Sequence, residues 1–137
     1  MKYWLVKTEP EEYSFADLLK DKKSVWDGVR NYQARNNLKL MKDGDLVFIY
    51  HTGKNKEIVG FAKVIKEHYP DPKDKTGDWF VVELEALKEI ILPISLNKIK
   101  TSRELSNIPL LKQSRLSVMP VTKDEFEFIL ALGNTKF

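Results

Sequence analysis

The chain has 137 residues, enough for one domain with a buried core, and its 42% hydrophobic and 31% charged residues exclude a disordered composition. It contains no cysteine, which rules out disulfides, thiolate zinc sites and cysteine nucleophiles and fits a reducing compartment. The net charge of +3 is the mildly basic balance of a nucleic-acid binder, although many enzymes share it.

Tyr3 to Lys7 is rich in aromatic and β-branched residues and predicts a first strand, broken at Glu9-Pro10-Glu11-Glu12. Ser14 with Asp17 three residues on is a capping-box pattern, so a short helix follows, and Lys20 to Lys23 forms a polar turn leading to Trp26-Asp27-Gly28. Asn31 caps a second helix running to about Met41, with Ala34, Leu38 and Met41 on its buried stripe. Leu46 to His51 predicts a buried strand, Thr52 to Lys56 a hairpin connection, and Ile58 to Lys66 its partner strand. Tyr69 to Asp78, with two prolines and a glycine, is the longest loop.

Trp79 to Ile91 predicts another strand. Ser95 and Thr101 each stand where a short helix starts, Thr101 with Glu104 as its capping partner. Arg115 to Val121 predicts a last strand, and Thr122 with Glu125 opens a C-terminal helix that stops at Gly133. Strands separated mostly by turns and short helices argue against a doubly wound parallel sheet. The expected class is α+β: one domain over residues 1–137, a mostly antiparallel curved sheet or barrel flanked by short helices. No run is long and apolar enough to span a bilayer, and the N-terminal residues lack a signal-peptide pattern, so no membrane association and a cytoplasmic location are expected.

The densest chemistry lies in Trp26-Asp27-Gly28-Val29-Arg30-Asn31-Tyr32-Gln33-Ala34-Arg35-Asn36, at a loop-to-helix junction. Trp26 and Tyr32 suit stacking on a base face, Asn31, Gln33 or Asp27 suit its polar edge, and Arg30 and Arg35 suit phosphate. The free N–H groups of a helix start also favour an anion. Each residue taken singly has a plainer use: Trp26 as core, Asn31 as a cap, the arginines as a solvated face. Only two histidines exist, His51 and His68, so a multi-histidine metal site is excluded and no cofactor is expected. His51 closes an apolar strand beside Tyr50, placed either to donate to a base or to serve as a satisfied structural histidine.

Several strings of the chain closely resemble the EVE domain family. They are Tyr3 to Pro10, Trp26 to Asn36, Gly44 to His51, Ile58-Val59-Gly60, Tyr69 to Pro72, and Leu110 to Val121, in the same order from near the start to the C-terminal helix. The resemblance implies a PUA-like fold, related to PUA, ASCH and YTH domains. It also implies reading of a modified base, chiefly methylated or further oxidised cytosine in DNA, with RNA as the alternative. Such a reader takes the base out of its stack and encloses it in an aromatic-walled pocket. Carried onto this chain, the implied base pocket draws on Lys7, Thr8, Trp26, Asn31, Tyr32, Tyr50, His51, Ser117 and Val118. Arg30, Arg35, Lys112 and Arg115 are the expected phosphate contacts if they surround one opening, and a protein effector is a further expected partner.

Two other readings stand beside the non-catalytic one. Some ASCH relatives are amidohydrolases, and Lys7, Thr8 and Glu9 supply an amine, a hydroxyl and a carboxylate, although strand alternation sends Thr8 to the opposite face. An RNA-binding module without base flipping would use the same basic surface.

Overall fold

The computed structural model describes all of residues 1–137. Six strands form one sheet: β1 (Tyr3–Thr8), β2 (Lys23–Trp26), β3 (Leu46–His51), β4 (Glu57–Pro70), β5 (Phe80–Ser95) and β6 (Val118–Val121). Their order across the sheet is β2-β5-β4-β3-β1-β6. Every neighbouring pair is antiparallel except β1 with β3, which run parallel in the register Tyr3↔Leu46 to Thr8↔His51.

The ribbon of β4 and β5, 14 and 16 residues long, makes the frame. Its ladder shifts register at four places between Ile58 and Tyr69, and such bulges bend and twist a strand pair. The curved sheet expected from the sequence is therefore present, with β2 and β6 as its edges rather than closed on each other.

Helices α1 (Phe15–Asp21), α2 (Tyr32–Leu40), α3 (Leu96–Lys100), α4 (Pro109–Lys112) and α5 (Lys123–Leu132) flank the sheet, with a single 3-10 turn at Arg103–Leu105. Capping boxes at Ser14/Asp17 and Thr122/Glu125 form as the spacing predicts, and Ser95 caps α3 by accepting from the Lys98 amide. Ala34 and Leu38 of α2, with Met41 just beyond it, are fully buried. Phe48 of β3, Phe61 of β4 and Phe126 of α5 meet in the core, Phe48 and Phe126 stacked at 4.4 Å.

Asp45, at the head of β3, is buried and accepts from the Lys2 amide, the Trp4 indole Nε1 and the Lys42 amide, each at 3.0 Å. This carboxylate ties the starts of β1 and β3 together at the end of the sheet away from the site described below.

Several local expectations differ from the structure. β4 runs past Lys66 to Pro70, so Tyr69 and Pro70 pair with Val81 and Phe80 instead of opening the long loop. Lys23 to Trp26 is a strand, because its backbone pairs with Glu85 to Val82 of β5 although three of its four residues remain at least partly exposed. Thr101 ends α3 instead of starting a helix, its hydroxyl donating to the Lys98 carbonyl. The last strand begins only at Val118, since Arg115 to Ser117 belongs to the turn after α4. β5 extends past Ile91 to Ser95, held by pairing of Ile94 and Ser95 with Ile58 and Glu57.

Candidate nucleic-acid interface

A cleft of about 670 Å³ opens where β1 ends, β2 ends and β6 begins. Two backbone features build it. The Lys7 amide donates to the Ser117 carbonyl at 2.9 Å, joining the end of β1 to the turn before β6. After Trp26, Gly28 takes φ +78°, a left-handed conformation that favours glycine, and turns the chain toward α2.

Of the residues expected to hold a base, Lys7, Thr8, Trp26, Asn31 and Ser117 line this cleft, together with Arg30. Trp26 is 7% exposed and stands edge-on to Tyr13 at 6.2 Å, so it forms a wall rather than a free stacking face. Thr8 donates its hydroxyl to the Tyr13 carbonyl at 2.6 Å. Lys7 Nζ donates to the Ser114 carbonyl at 2.8 Å, and burial lowers the pKa of its ammonium.

Asn31 does two things at once. Its Oδ1 accepts from the Ala34 amide at 2.9 Å, capping α2. The cap fixes which way round the amide sits, so Nδ2, with no partner in the protein, is the group left for the cleft.

Arg30 sits at the rim with its side chain 42% exposed. It donates to Asp71 at 3.1 Å and to the Val29 carbonyl at 3.0 Å. Asp71 is fully buried; burial pushes its pKa up, but the Lys73 amide, Arg30 and the Gly28 amide outweigh that and hold the carboxyl below its ordinary value. Asp27, also on the cleft, pairs with Lys73 at 2.9 Å.

The other expected residues lie elsewhere. Tyr50 is 3% exposed within the core, behind Lys7, whose Nζ lies 6.0 Å from its ring, and burial raises its pKa. His51 accepts the Phe15 amide on Nε2 at 3.0 Å, which fixes the start of α1. Burial lowers its pKa, with Glu57 opposing. The Val118 side chain is fully buried, and its carbonyl accepts from Asn37 Nδ2 at 2.7 Å. Tyr32, the first residue of α2, points away from the cleft and stacks on Trp79 at 4.9 Å, with the Arg35 guanidinium 4.9 Å from its ring. Lys112 and Arg115 share a smaller groove of about 370 Å³ that adjoins the cleft through Asn31.

Sequence reasoning missed Tyr13 and the carboxylate of Glu12, and raised Glu9 only for a hydrolytic role; all three also line the cleft. Tyr13 follows the turn that Glu9 begins, its amide bonded to the Glu9 carbonyl at 2.9 Å, and its hydroxyl is anchored on Asp21 at 2.8 Å. The cleft is thus more polar than an aromatic cage, and it carries charges of both signs. It offers hydrogen-bond donors at Asn31 and acceptors at the three carboxylates.

The EVE domain family model matches residues 2–132. Thymocyte nuclear protein 1 of Mus musculus is 38% identical, over 98% of this chain and 74% of that protein. Among solved structures, one from Rhodopseudomonas palustris superposes with a TM-score of 0.93 at 39% identity, covering 98% of this chain and 94% of that one. The human THYN1 protein in complex with 5-methylcytosine-containing DNA superposes with a TM-score of 0.89 at 34% identity, covering 100% of each chain. By sequence along nearly its whole length, and by fold, the chain belongs to the EVE domain family.

Proposed function

We propose that the chain is a non-catalytic reader of DNA that holds a modified cytosine, taken out of its stack, in the cleft between Trp26 and the end of β1. The observation that carries this reading is the cleft's mixed polar edge beside an aromatic wall, in a chain so similar to the human protein bound to 5-methylcytosine-containing DNA. A cytosine edge places an amino donor next to two acceptors. Asn31 Nδ2 complements the acceptors, and the free oxygens of Asp27, Glu9 or Glu12 complement the amino group. The cleft volume of about 670 Å³ suits a nucleotide-sized occupant. Arg30 at the rim, with Lys112 and Arg115 in the adjoining groove, supplies positive charge where the backbone would pass.

A hydrolytic reading gains nothing from the geometry. The Thr8 hydroxyl is committed to the Tyr13 carbonyl and the Lys7 ammonium to the Ser114 carbonyl, so neither is paired with the other as nucleophile and base.

The test is equilibrium binding of matched duplexes with and without 5-methylcytosine, at two salt concentrations. Tighter binding of the modified duplex, with that preference lost in Trp26→Phe, is the expected result. Equal and equally salt-sensitive binding of both duplexes would reduce the protein to a basic surface binder and overturn the reading.

A further inference from the structure

Outside the cleft, and apart from the C-terminal Phe137, the most exposed large aromatic ring on the molecule belongs to Tyr32, at 61% exposure. A singly exposed ring is ordinary on a protein surface, and what sets Tyr32 apart is that it is held in a fixed stack with an aromatic and a cationic neighbour. Tyr32 is not loose. It stacks on Trp79 at 4.9 Å and 29° between planes. The Arg35 guanidinium lies 4.9 Å from the Tyr32 ring and 5.9 Å from Trp79, and is held there by the Asp78 carbonyl and by Asn36. On the cleft side, Arg30 lies 5.5 Å from the same Trp79 ring.

The result is a fixed ledge of two aromatics between two arginines. It adjoins the cleft directly, since Arg30 belongs to both and Asn31, next to Tyr32 in the chain, lines the cleft. The loop behind the ledge is braced. Asp71 is paired with Arg30, Asp27 with Lys73, and Asp74 accepts the amides of Thr76, Asp78 and Trp79. Two carboxylates that would otherwise repel a phosphate beside the ledge are thereby neutralised by ion pairs.

We infer that the Tyr32–Trp79 ledge is a second nucleic-acid contact, on which a base next to the captured one stacks while Arg35 meets the adjoining phosphate. This rests on the reader function proposed above, and it makes a separate demand on the ligand. The cleft tells modified from unmodified base, whereas the ledge is indifferent to base identity, because every base has a face to stack. Removing the ledge should therefore weaken binding without changing discrimination. Stacking of about 1–3 kcal/mol corresponds to a loss of roughly fivefold to a hundredfold.

The experiment measures Kd by fluorescence anisotropy for duplexes with and without 5-methylcytosine, using wild type, Tyr32→Ala and Tyr32→Phe. Tyr32 is exposed and alanine is a good helix former, so Tyr32→Ala leaves the fold intact, which thermal unfolding verifies. The expected result is that Tyr32→Ala weakens both duplexes by the same factor, at least about fivefold, with Tyr32→Phe restoring both. Wild-type affinity in Tyr32→Ala would overturn the inference, and so would a loss confined to the modified duplex, which would return Tyr32 to the base pocket. If the wild type shows no preference for the modified base while Tyr32→Ala still weakens both duplexes, the reader function fails and the ledge stands. A wild-type chain that binds neither duplex overturns both.

Discussion

Asn31 joins two functions that a pair of substitutions can separate. Its Oδ1 caps α2 on the Ala34 amide at 2.9 Å, and its Nδ2 has no partner in the protein at a residue that lines the cleft. Asn31→Ala removes both. Loss of a cap costs about 1 kcal/mol, which for a chain of this size lowers Tm by roughly 3–5 °C. Asn31→Asp keeps the capping oxygen and places a charge at a helix start whose first turn has no acidic residue. The helix dipole rewards that charge by about 0.3–1 kcal/mol, so Asn31→Asp is expected to be as stable as wild type or slightly more so. Binding runs the other way. On the proposed reading Asn31→Ala loses one hydrogen bond to the base, about 0.5–1.5 kcal/mol, or roughly twofold to tenfold in Kd. Asn31→Asp sets a carboxylate against acceptors on the base, an unpaired contact costing about 1–3 kcal/mol, or roughly fivefold to a hundredfold. Thermal unfolding and anisotropy titration on the same three proteins read both quantities. A variant Asn31→Asp that binds the modified duplex like wild type would show that the residue is a cap and nothing more. One destabilised by more than about 1 kcal/mol would refute the cap geometry itself.

Further tests follow from contacts away from the cleft. Neutral His51 accepts the Phe15 amide, and burial holds its pKa below the ordinary 6.5, so the folded chain binds fewer protons than the unfolded one below that pH. Its contribution is fully present above about pH 6.5 and is lost as pH falls through the folded value, with a slope of at most about 1.4 kcal/mol per pH unit. Urea unfolding between pH 5 and 7.5 reads that slope, which His51→Gln should flatten; an unchanged slope would exclude His51 as its source. Asp45→Ala, which strands the buried Trp4 indole and two amides, is expected to cost about 2–4 kcal/mol by urea unfolding; a cost under about 1 kcal/mol would mean that water replaces the carboxylate. A Cβ on Gly60 would fall 2.3 Å from Phe15 Cε2, so Gly60→Ala should cost about 1–3 kcal/mol. A double-mutant cycle checks the cause, because Phe15→Leu should cost less beside Gly60→Ala than alone.

What the chain discloses in one dimension is whatever is decided locally. The caps at Ser14, Asn31, Ser95 and Thr122 all form because each depends on a residue three positions away. The apolar run Leu46 to His51 becomes a strand that is buried except at its last residue, as a central position in the sheet requires. β2 is hard to read because only Val25 and Trp26 of its four residues favour a strand, too short a run to stand without the partner it finds in β5. The site divides the same way. Trp26, Arg30 and Asn31 are close in sequence and close in space. Ser117 reached the expectation only through family resemblance, and its neighbour Lys7 is brought to it by β1–β6 pairing. Tyr32 was legible as a base-stacking type but not as to place. Asn31 spends its side chain on the cap, and the helix carries Tyr32 round to Trp79, a residue that local reasoning assigned to a strand.

The pairing of β1 between β3 and β6 also means that the cleft cannot be complete until the last strand has been made. The β4–β5 ribbon pairs neighbours in the chain and closes early, whereas β1 waits first for β3 and then for β6 near the far end. Trp26, Arg30 and Asn31 leave the ribosome well before Ser117, but the wall that Ser117 forms with Lys7 exists only once β6 has docked on β1. A nascent chain stalled before residue 118 therefore displays the basic and aromatic residues of the site without the cleft. If the proposed reader function holds, such a chain is expected to contact nucleic acid by charge alone, without regard to modification, and to gain discrimination only with the last strand.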